Sequence, residues 1–388
     1  MNTINICWID NGDFLGGAEL FSVDMIQTLI IYKNTLPDTI LNIDIYSNSI
    51  NNNNAFAQQV TTIQELSKDN PNITINHKSL FLPSLKPISY QNIKNFIKSV
   101  FKIKNIVQEN KYNTVYANTV RSGIITGISQ FFFPKDTKTI FMSHDYTMPK
   151  ILAKFLIPQF SQILACSYSV KKYLLESGIK PWKIEVIKNG VNIEQLSSLP
   201  EITAPLFSAS IIGRIAPWKG QMIVLESALW LKENAKEFPF QFTIYGAASN
   251  KMEDLTYEKN LHKFVKDNNL EKNIRFAGFT PLQTALKESK IVIHASTEKE
   301  PFGRTPIEAG ASKRIACISN IGTPAKIFTD KENAFFFEAG NSESLAHTLI
   351  IIAHNKDKAL QIAENSQKFV QDKFNLENIS KLFWSYFQ

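Results

Sequence analysis

Two doubly wound α/β domains facing a cleft are the fold this sequence predicts, on three observations. Short apolar runs of strand length alternate with helix-period stretches along the whole chain. The alternation lapses over residues 193–205 and then restarts with the same grammar. At 388 residues the chain is long enough to bury two cores. Strict strand–helix alternation implies parallel sheets with helices on both faces.

In order, the first strand covers residues 4–9. It enters a loop, Asp10 to Gly17, that carries paired glycines, and a helix over 18–31 follows. A glycine-bearing turn between strand and helix lets backbone approach a phosphate or a sugar, although paired glycines also make ordinary tight turns. An apolar run at 41–46, an asparagine-rich surface loop at 48–54, a helix over 55–68 and a strand at 73–80 come next, ending in the proline-punctuated segment 82–87. Residues 91–108 read as a helix with Ile93, Phe96, Ile97, Val100, Phe101 and Ile106 at helical spacing, flanked by Lys94, Lys98, Lys102 and Lys104. Such a helix either packs on the core with a solvated lysine face or lies on anionic lipid. Strands at 114–117 and 139–142 follow, and the second delivers His144 at its carboxyl end, where open α/β sheets bind ligands. A capping role for His144 fits the same position. Strands at 163–166 and 184–187, with a helix over 169–177 between them, complete the first half. The turn Asn189-Gly190-Val191-Asn192 then leads into the linker.

The second half has strands at 207–212, 240–245, 274–277, 291–295 and 315–318, with a helix over 221–237. It closes with helices near 342–354, 356–374 and 376–387. The expected division is residues 1–200, 201–370, and a last helix over 371–388 that returns to the first domain.

Composition narrows the function classes. An apolar fraction of 44% and a charged fraction of 20% describe an ordinary globular protein. Cys7, Cys166 and Cys317 have no metal-ligand or redox spacing, which fits a reduced compartment. The start lacks a signal-peptide pattern and no run of about 18 apolar residues occurs. The expected location is the cytoplasm, either free or in peripheral contact with the inner face of the membrane. A net charge of +7 without a nucleic-acid motif favours anionic small molecules or lipid. No Walker A sequence, GxSxG elbow or HExxH is present, so those ATPase, hydrolase and metalloprotease classes are set aside. No metal site is expected.

The most informative stretch is 291–311, IVIHASTEKEPFGRTPIEAGA. It reads as a buried strand, a polar loop and a helix opening near Arg304, with Pro306 where a first turn tolerates it. Glu300 and Glu308 bracket the turn; fully helical spacing would set them ~12 Å apart, about the span of a nucleotide-sugar from hexose to ribose. Gly303 and the free amides of the helix start between them suit an anion. Glutamates near a helix start are also common as dipole partners. Arg214 and Lys219, in the strand-to-helix loop that opens the second half, supply the cations a diphosphate would need.

Together these pieces resemble the retaining glycosyltransferases of family 4, with the GT-B fold of two Rossmann-like domains, over nearly the whole chain. The matching residues are Gly16-Gly17-Ala18-Glu19, Asn189-Gly190-Val191, Gly213-Arg214 with Lys219-Gly220, and Glu300-Pro301-Phe302-Gly303 followed by Glu308. The resemblance implies a hexose, or N-acetylhexosamine, moved with retention from a UDP-, GDP- or ADP-sugar to a glycan or lipid-linked glycan in polysaccharide biosynthesis, without metal or other cofactor. It implies a catalytic set of Arg214, Lys219, Glu300 and His144, with Glu300 on the hexose hydroxyls and not acting as a nucleophile. Glu308 would accept the ribose hydroxyls, and Phe302 and Gly303 would meet sugar and phosphate through backbone amides, with Arg304 in the same donor seat. Gly16 and Gly17 would close over the diphosphate, and the base would stack near residues 275–279, at Phe276 and Gly278. One departure stands out. Where the family has a Gly-Gly-x-Pro-Glu type turn, this chain reads Gly322-Thr323-Pro324-Ala325-Lys326, so no role carries over to Lys326. Two alternatives remain: a GT-B nucleotide-sugar epimerase or hydrolase, and a non-catalytic glycan-binding or assembly partner.

Overall fold

A computed structural model describes residues 2–13, 15–48, 50, 54–84, 89–200 and 207–388. Phe14, the middle of the asparagine-rich loop, part of the segment after residue 84 and the end of the linker lie outside the described residues. The chain divides into two compact units, Met1–Gly190 with Leu376–Gln388, and Val191–Asn375.

The first unit is built on a parallel sheet of seven strands: β1 (Asn2–Ile9), β2 (Thr39–Ser47), β3 (Ile73–Ser79), β4 (Thr114–Ala117), β5 (Lys138–Ser143), β6 (Gln162–Ala165) and β7 (Ile184–Val186), in the order β3-β2-β1-β4-β5-β6-β7. All seven coincide with strands or apolar runs expected from the sequence. The register sets Cys7 beside Asp44 on β2 and Val115 on β4, so β1 is central and buried on both faces. The strand order reverses between β1 and β4, and ligands of open α/β sheets bind beyond such a reversal. The last helix, Leu376–Ser385, packs on the helix Gly17–Lys33 and inserts Phe383 against Trp8, Phe21 and Tyr116. Gly190 makes room for it. A Cβ there would stand 2.7 Å from Leu376 Cδ2 and 2.8 Å from Ile379 Cδ1.

The second unit has six parallel strands: β8 (Ser208–Ile212), β9 (Gln241–Tyr245), β10 (Ile274–Gly278), β11 (Ile291–His294), β12 (Ile315–Ser319) and β13 (Phe335–Phe337), in the order β10-β9-β8-β11-β12-β13. Here the order reverses between β8 and β11, the strands that lead into the Arg214 and Glu300 loops. Sequence reading did not anticipate β13, because three consecutive phenylalanines are too short a run to show a period of two. The chain enters this unit at Val191, earlier than the expected boundary near 200. The start of the expected linker is the short helix Ile193–Ser197, which packs on the helix Arg304–Ala311, and Arg314 Nη2 donates to the Pro200 carbonyl at 3.0 Å. Val191 N–H donates to the Phe374 carbonyl at 2.9 Å, so entry and exit of the unit are tied together.

Candidate active site

Because every strand of the second unit runs the same way, the loops after β8, β11 and β12 open on one edge of its sheet. Their backbones touch. Gly220 has φ +74°, and a Cβ there would stand 1.9 Å from the Ala295 carbonyl oxygen. Thr297 N–H donates to the Trp218 carbonyl at 2.9 Å, which joins the loop after β11 to the loop after β8. Gly303 has φ +79°, and a Cβ there would meet Pro324 Cγ at 2.4 Å and Glu300 Oε2 at 2.9 Å. Gly322 has φ +77°, with its missing Cβ aimed at the Glu300 nitrogen, and Thr323 N–H donates to the Glu300 carbonyl at 3.2 Å. The turn around Thr323 thus backs the Glu300 loop even though Lys326 replaces the family acid.

Glu300 is 4% exposed. Its Oε1 accepts from the Lys219 ammonium and from Ser296 Oγ at 3.1 Å, and its Oε2 lies 2.8 Å from His294 Nε2. Burial alone would raise its pKa, but the Lys219 charge and the His294 ring outweigh burial and hold the carboxyl well below the usual range. It is therefore an ionised, acceptor-only group at neutral pH. Lys219 Nζ sits 4.4 Å from the centre of the Trp218 ring, and the Arg214 guanidinium carbon 5.9 Å from the same ring. Arg214 is half-buried and carries no ion pair among the described residues, so its fork is open to an anion.

Glu308 is also buried, and Arg304 Nε donates to its Oε1 at 3.1 Å from one helical turn back. Arg304 therefore orients Glu308. Phe302 turns its ring inward against Phe374, with centroids 6.1 Å apart, which leaves backbone as its means of meeting a ligand. Phe276 and Gly278 stand apart from this group, on the edge strand β10. The Phe276 ring lies 3.9 Å from that of His262, and Gly278, at φ +66°, has open space where a Cβ would stand. Arg275 is committed to Glu288 at 2.6 Å and to the Tyr245 hydroxyl at 2.9 Å.

The remaining candidates belong to the first unit. Gly17 starts the helix Gly17–Lys33 with no atom within 4 Å of where a Cβ would stand, and neither Gly16 nor Gly17 has positive φ. Gly17 offers room rather than an unusual backbone. His144 follows β5, and its Nε2 lies 3.0 Å from Asn118 Oδ1. Asn118 Nδ2 donates to Asp10 Oδ2 and to the Ala18 carbonyl, both at 2.8 Å. That fixes the amide, so its oxygen faces His144 and the imidazole presents Nε2–H to it. Asp10 also accepts from Ser22 Oγ, which in turn accepts from Trp8 Nε1 at 3.0 Å. Burial pushes Asp10 up to about 6, and burial with the nearby Asp10 charge pushes Glu19 up to about 8.

Sequence reading singled out His144 among the histidines and passed over His294, the one bonded to Glu300. It also missed Ser296, Asp10 and Asn118. The usable signal was topological: each lies at the carboxyl end of a strand flanking an order reversal, and strand order is not visible in one sequence. Among the described residues no cluster of His, Cys, Asp or Glu is gathered as a metal site.

The model of Glycosyl transferases group 1 matches residues 207–369, and that of Glycosyltransferase Family 4 matches residues 62–195. The chain belongs to the family 4-like glycosyltransferases. This glycosyltransferase is 25% identical, over 77% of its length and 80% of the relative's, to the Escherichia coli UDP-Gal:alpha-D-GlcNAc-diphosphoundecaprenol alpha-1,3-galactosyltransferase. It is 23% identical over 63% of its length to an uncharacterized glycosyltransferase of Methanocaldococcus jannaschii, and the match spans 62% of that relative. Among solved structures it is similar to Anabaena HepE in complex with UDP and glucose, with a TM-score of 0.79, 21% identity and 98% of each chain covered. That likeness establishes the GT-B fold for the glycosyltransferase.

Proposed function

We propose that the glycosyltransferase transfers a hexose or N-acetylhexosamine, with retention and without a metal ion, from a nucleoside-diphosphate sugar to a glycan or lipid-linked glycan. The observation that carries this reading is the Lys219–Glu300 pair at the reversal between β8 and β11, with Arg214, which has no ion pair among the described residues, beside it. The E. coli relative, named for a UDP-sugar donor and a lipid-linked acceptor, and the UDP-bound Anabaena neighbour support the substrate class.

In this reading Glu308, oriented by Arg304, accepts the ribose hydroxyls, and Glu300 accepts the sugar hydroxyls. Arg214 and Lys219 face the diphosphate, joined by amides at Phe302 and Gly303. When the bond from the sugar C1 to phosphate oxygen breaks, the electron pair leaves with the diphosphate and the sugar becomes oxocarbenium-like. The two cations stabilise the charge gained by the leaving group, and charge that develops only in the transition state is where binding accelerates the step. The acceptor hydroxyl bonds to C1 on the face the diphosphate leaves, and its proton passes to the departing phosphate. No protein nucleophile is needed. His144 and the Gly16-Gly17 turn are assigned to the hexose and the diphosphate from the first unit, and Phe276 and Gly278 to the base.

Release of nucleoside diphosphate from UDP-, GDP- and ADP-sugars, with NMR of the product's anomeric configuration, tests this. One donor should turn over with retained configuration, and Arg214→Ala should lower that turnover by ~100-fold or more. No release from any donor, or near-normal turnover in the variant, removes the reading.

A further inference from the structure

Outside the candidate site, the most unusual surface of the first unit runs along the helix Tyr90–Asn110. One side of this helix is core: Val100, Ile103, Ile106 and Val107 pack with Leu80, Leu82, Val115 and Ile125. The expected apolar stripe is only partly used there. Ile93, Ile97 and Phe101, four residues apart in succession, are 50%, 49% and 48% exposed. Scattered exposed hydrophobics need no explanation, but a row at helical spacing does.

The row continues into a neighbouring turn. Phe131 and Phe132 are exposed, the rings of Phe101 and Phe132 stand 6.0 Å apart, and Gln108 Nε2 bonds the Phe132 carbonyl at 3.0 Å. Two residues before Phe101, Ser99 Oγ donates to the Phe81 carbonyl at 2.8 Å, which holds the exposed Phe81 at the helix flank. The charge beside this row has one sign. The helix Tyr90–Asn110 contains Lys94, Lys98, Lys102 and Lys104, and its one acid, Glu109, lies in the last turn, beyond the row. None of the four lysines has an ion-pair partner among the described residues, and Lys104 Nζ lies 5.9 Å from the centre of the Phe132 ring.

We propose that this face is a docking surface for an anionic lipid bilayer. Ile93 to Phe101 spans ~12 Å of helix, an apolar ridge with ammonium groups alongside it, which is how an interfacial helix enters a headgroup layer. Lysine stems lie along apolar surface while their heads reach lipid phosphates. An acidic protein partner would meet the charge but not a convex ridge of aliphatic and aromatic side chains. The segment at Phe81 and Leu82, beside the helix, is tied to the loop that follows β1. Leu82 N–H donates to Asn48 Oδ1 at 2.5 Å, Asn48 Nδ2 donates to Asp13 Oδ1 at 2.6 Å, and Arg121 pairs with Asp13 at 2.7 Å. Bound this way, the membrane would bring a lipid-linked acceptor to that loop, a consequence that rests on the proposed transferase reading; the docking itself does not.

Co-sedimentation of the full chain with neutral vesicles and with vesicles of about 30% anionic phospholipid tests this. The protein should pellet with the anionic vesicles alone, and less as salt rises from about 50 to about 300 mM. Lys94→Glu/Lys98→Glu/Lys102→Glu should bind at least ~10-fold more weakly, and Ile97→Ser/Phe101→Ser should also lose binding. Both should melt as the unaltered protein does, since these side chains are exposed; Phe131→Ser, on a separate turn, serves if either fails to fold. Equal binding to both vesicle types, no binding to either, or full binding by the charge-reversed protein overturns the proposal. So does a concentration-dependent dimer in sedimentation velocity that Ile97→Ser/Phe101→Ser dissolves, which assigns the face to a second copy. Vesicle binding without nucleoside diphosphate release leaves the surface standing and removes the transferase reading.

Discussion

Glu19 and Glu300 are both buried carboxyls, yet their surroundings drive them in opposite directions. Glu19 lies near a second carboxyl, Asp10, and its Oε2 accepts a cap bond from Gly16 N–H at 3.1 Å. Folded, it keeps its proton to about 8, whereas its ordinary value is 4.5. Between those limits the folded state binds more protons than the unfolded one, so the contribution is complete below 4.5 and is lost as pH rises toward 8. Glu300 is depressed by Lys219 and His294, so its contribution is present above 4.5 and is lost as pH falls below it. Thermal melts across pH should separate the two. Glu19→Gln, which mimics the protonated acid, should flatten the alkaline loss of stability, and Glu300→Gln should flatten the acid loss. An unchanged alkaline limb in Glu19→Gln would contradict the protonated state assigned to it. At this scale the sequence was legible for residues whose chemistry stands in a motif, such as Arg214, Lys219 and Glu308. It was silent on His294, Asn118 and Asp10, whose partners come from distant segments of the chain.

At the scale of elements, the site depends on how closely loops can pass. Gly220 caps the helix Gln221–Asn234 at φ +74° and touches the end of β11 through the Ala295 carbonyl. Gly220→Ala should therefore cost ~1–3 kcal/mol of stability by strain alone, and it should lower turnover by pushing Lys219 away from Glu300. Gly17 offers the contrasting case. Its position is helical with open space beside it, and alanine is the better helix former by ~1 kcal/mol. Gly17→Ala should leave the melting temperature unchanged or raised while reducing turnover, because a methyl would occupy room assigned to the diphosphate. Comparing melting temperature with turnover in the two variants checks both; full activity in Gly17→Ala would return that glycine to an ordinary helix start. Long elements were readable because periodicity accumulates over residues: the helix Lys356–Phe374 matches its expected bounds. Short pieces carry too few residues for a period, as with β13 and the helix Lys150–Phe155.

For the whole molecule, two parallel sheets each reverse strand order once, and the residues the sequence singles out lie by those reversals, except Phe276 and Gly278 on the edge strand β10. In the second unit the reversal brings Glu300 and Glu308 onto one edge, with Lys219 and Arg304 paired to them. The structure adds a detail that alters the expected roles. Lys219 is engaged by Glu300, so the two carboxylates should differ in their effect on a bare nucleotide. Under the proposed reading, removing Glu308 takes away a ribose acceptor, whereas removing Glu300 releases Lys219 for the diphosphate. Calorimetric titration of the nucleoside diphosphate of the active donor, onto the unaltered protein and the Glu308→Gln and Glu300→Gln variants, tests this division most directly. The account predicts affinity at least ~10-fold weaker in Glu308→Gln, from loss of charge-assisted hydrogen bonds, and affinity kept or increased in Glu300→Gln. Equal loss in both variants, or unchanged affinity in Glu308→Gln, would contradict it.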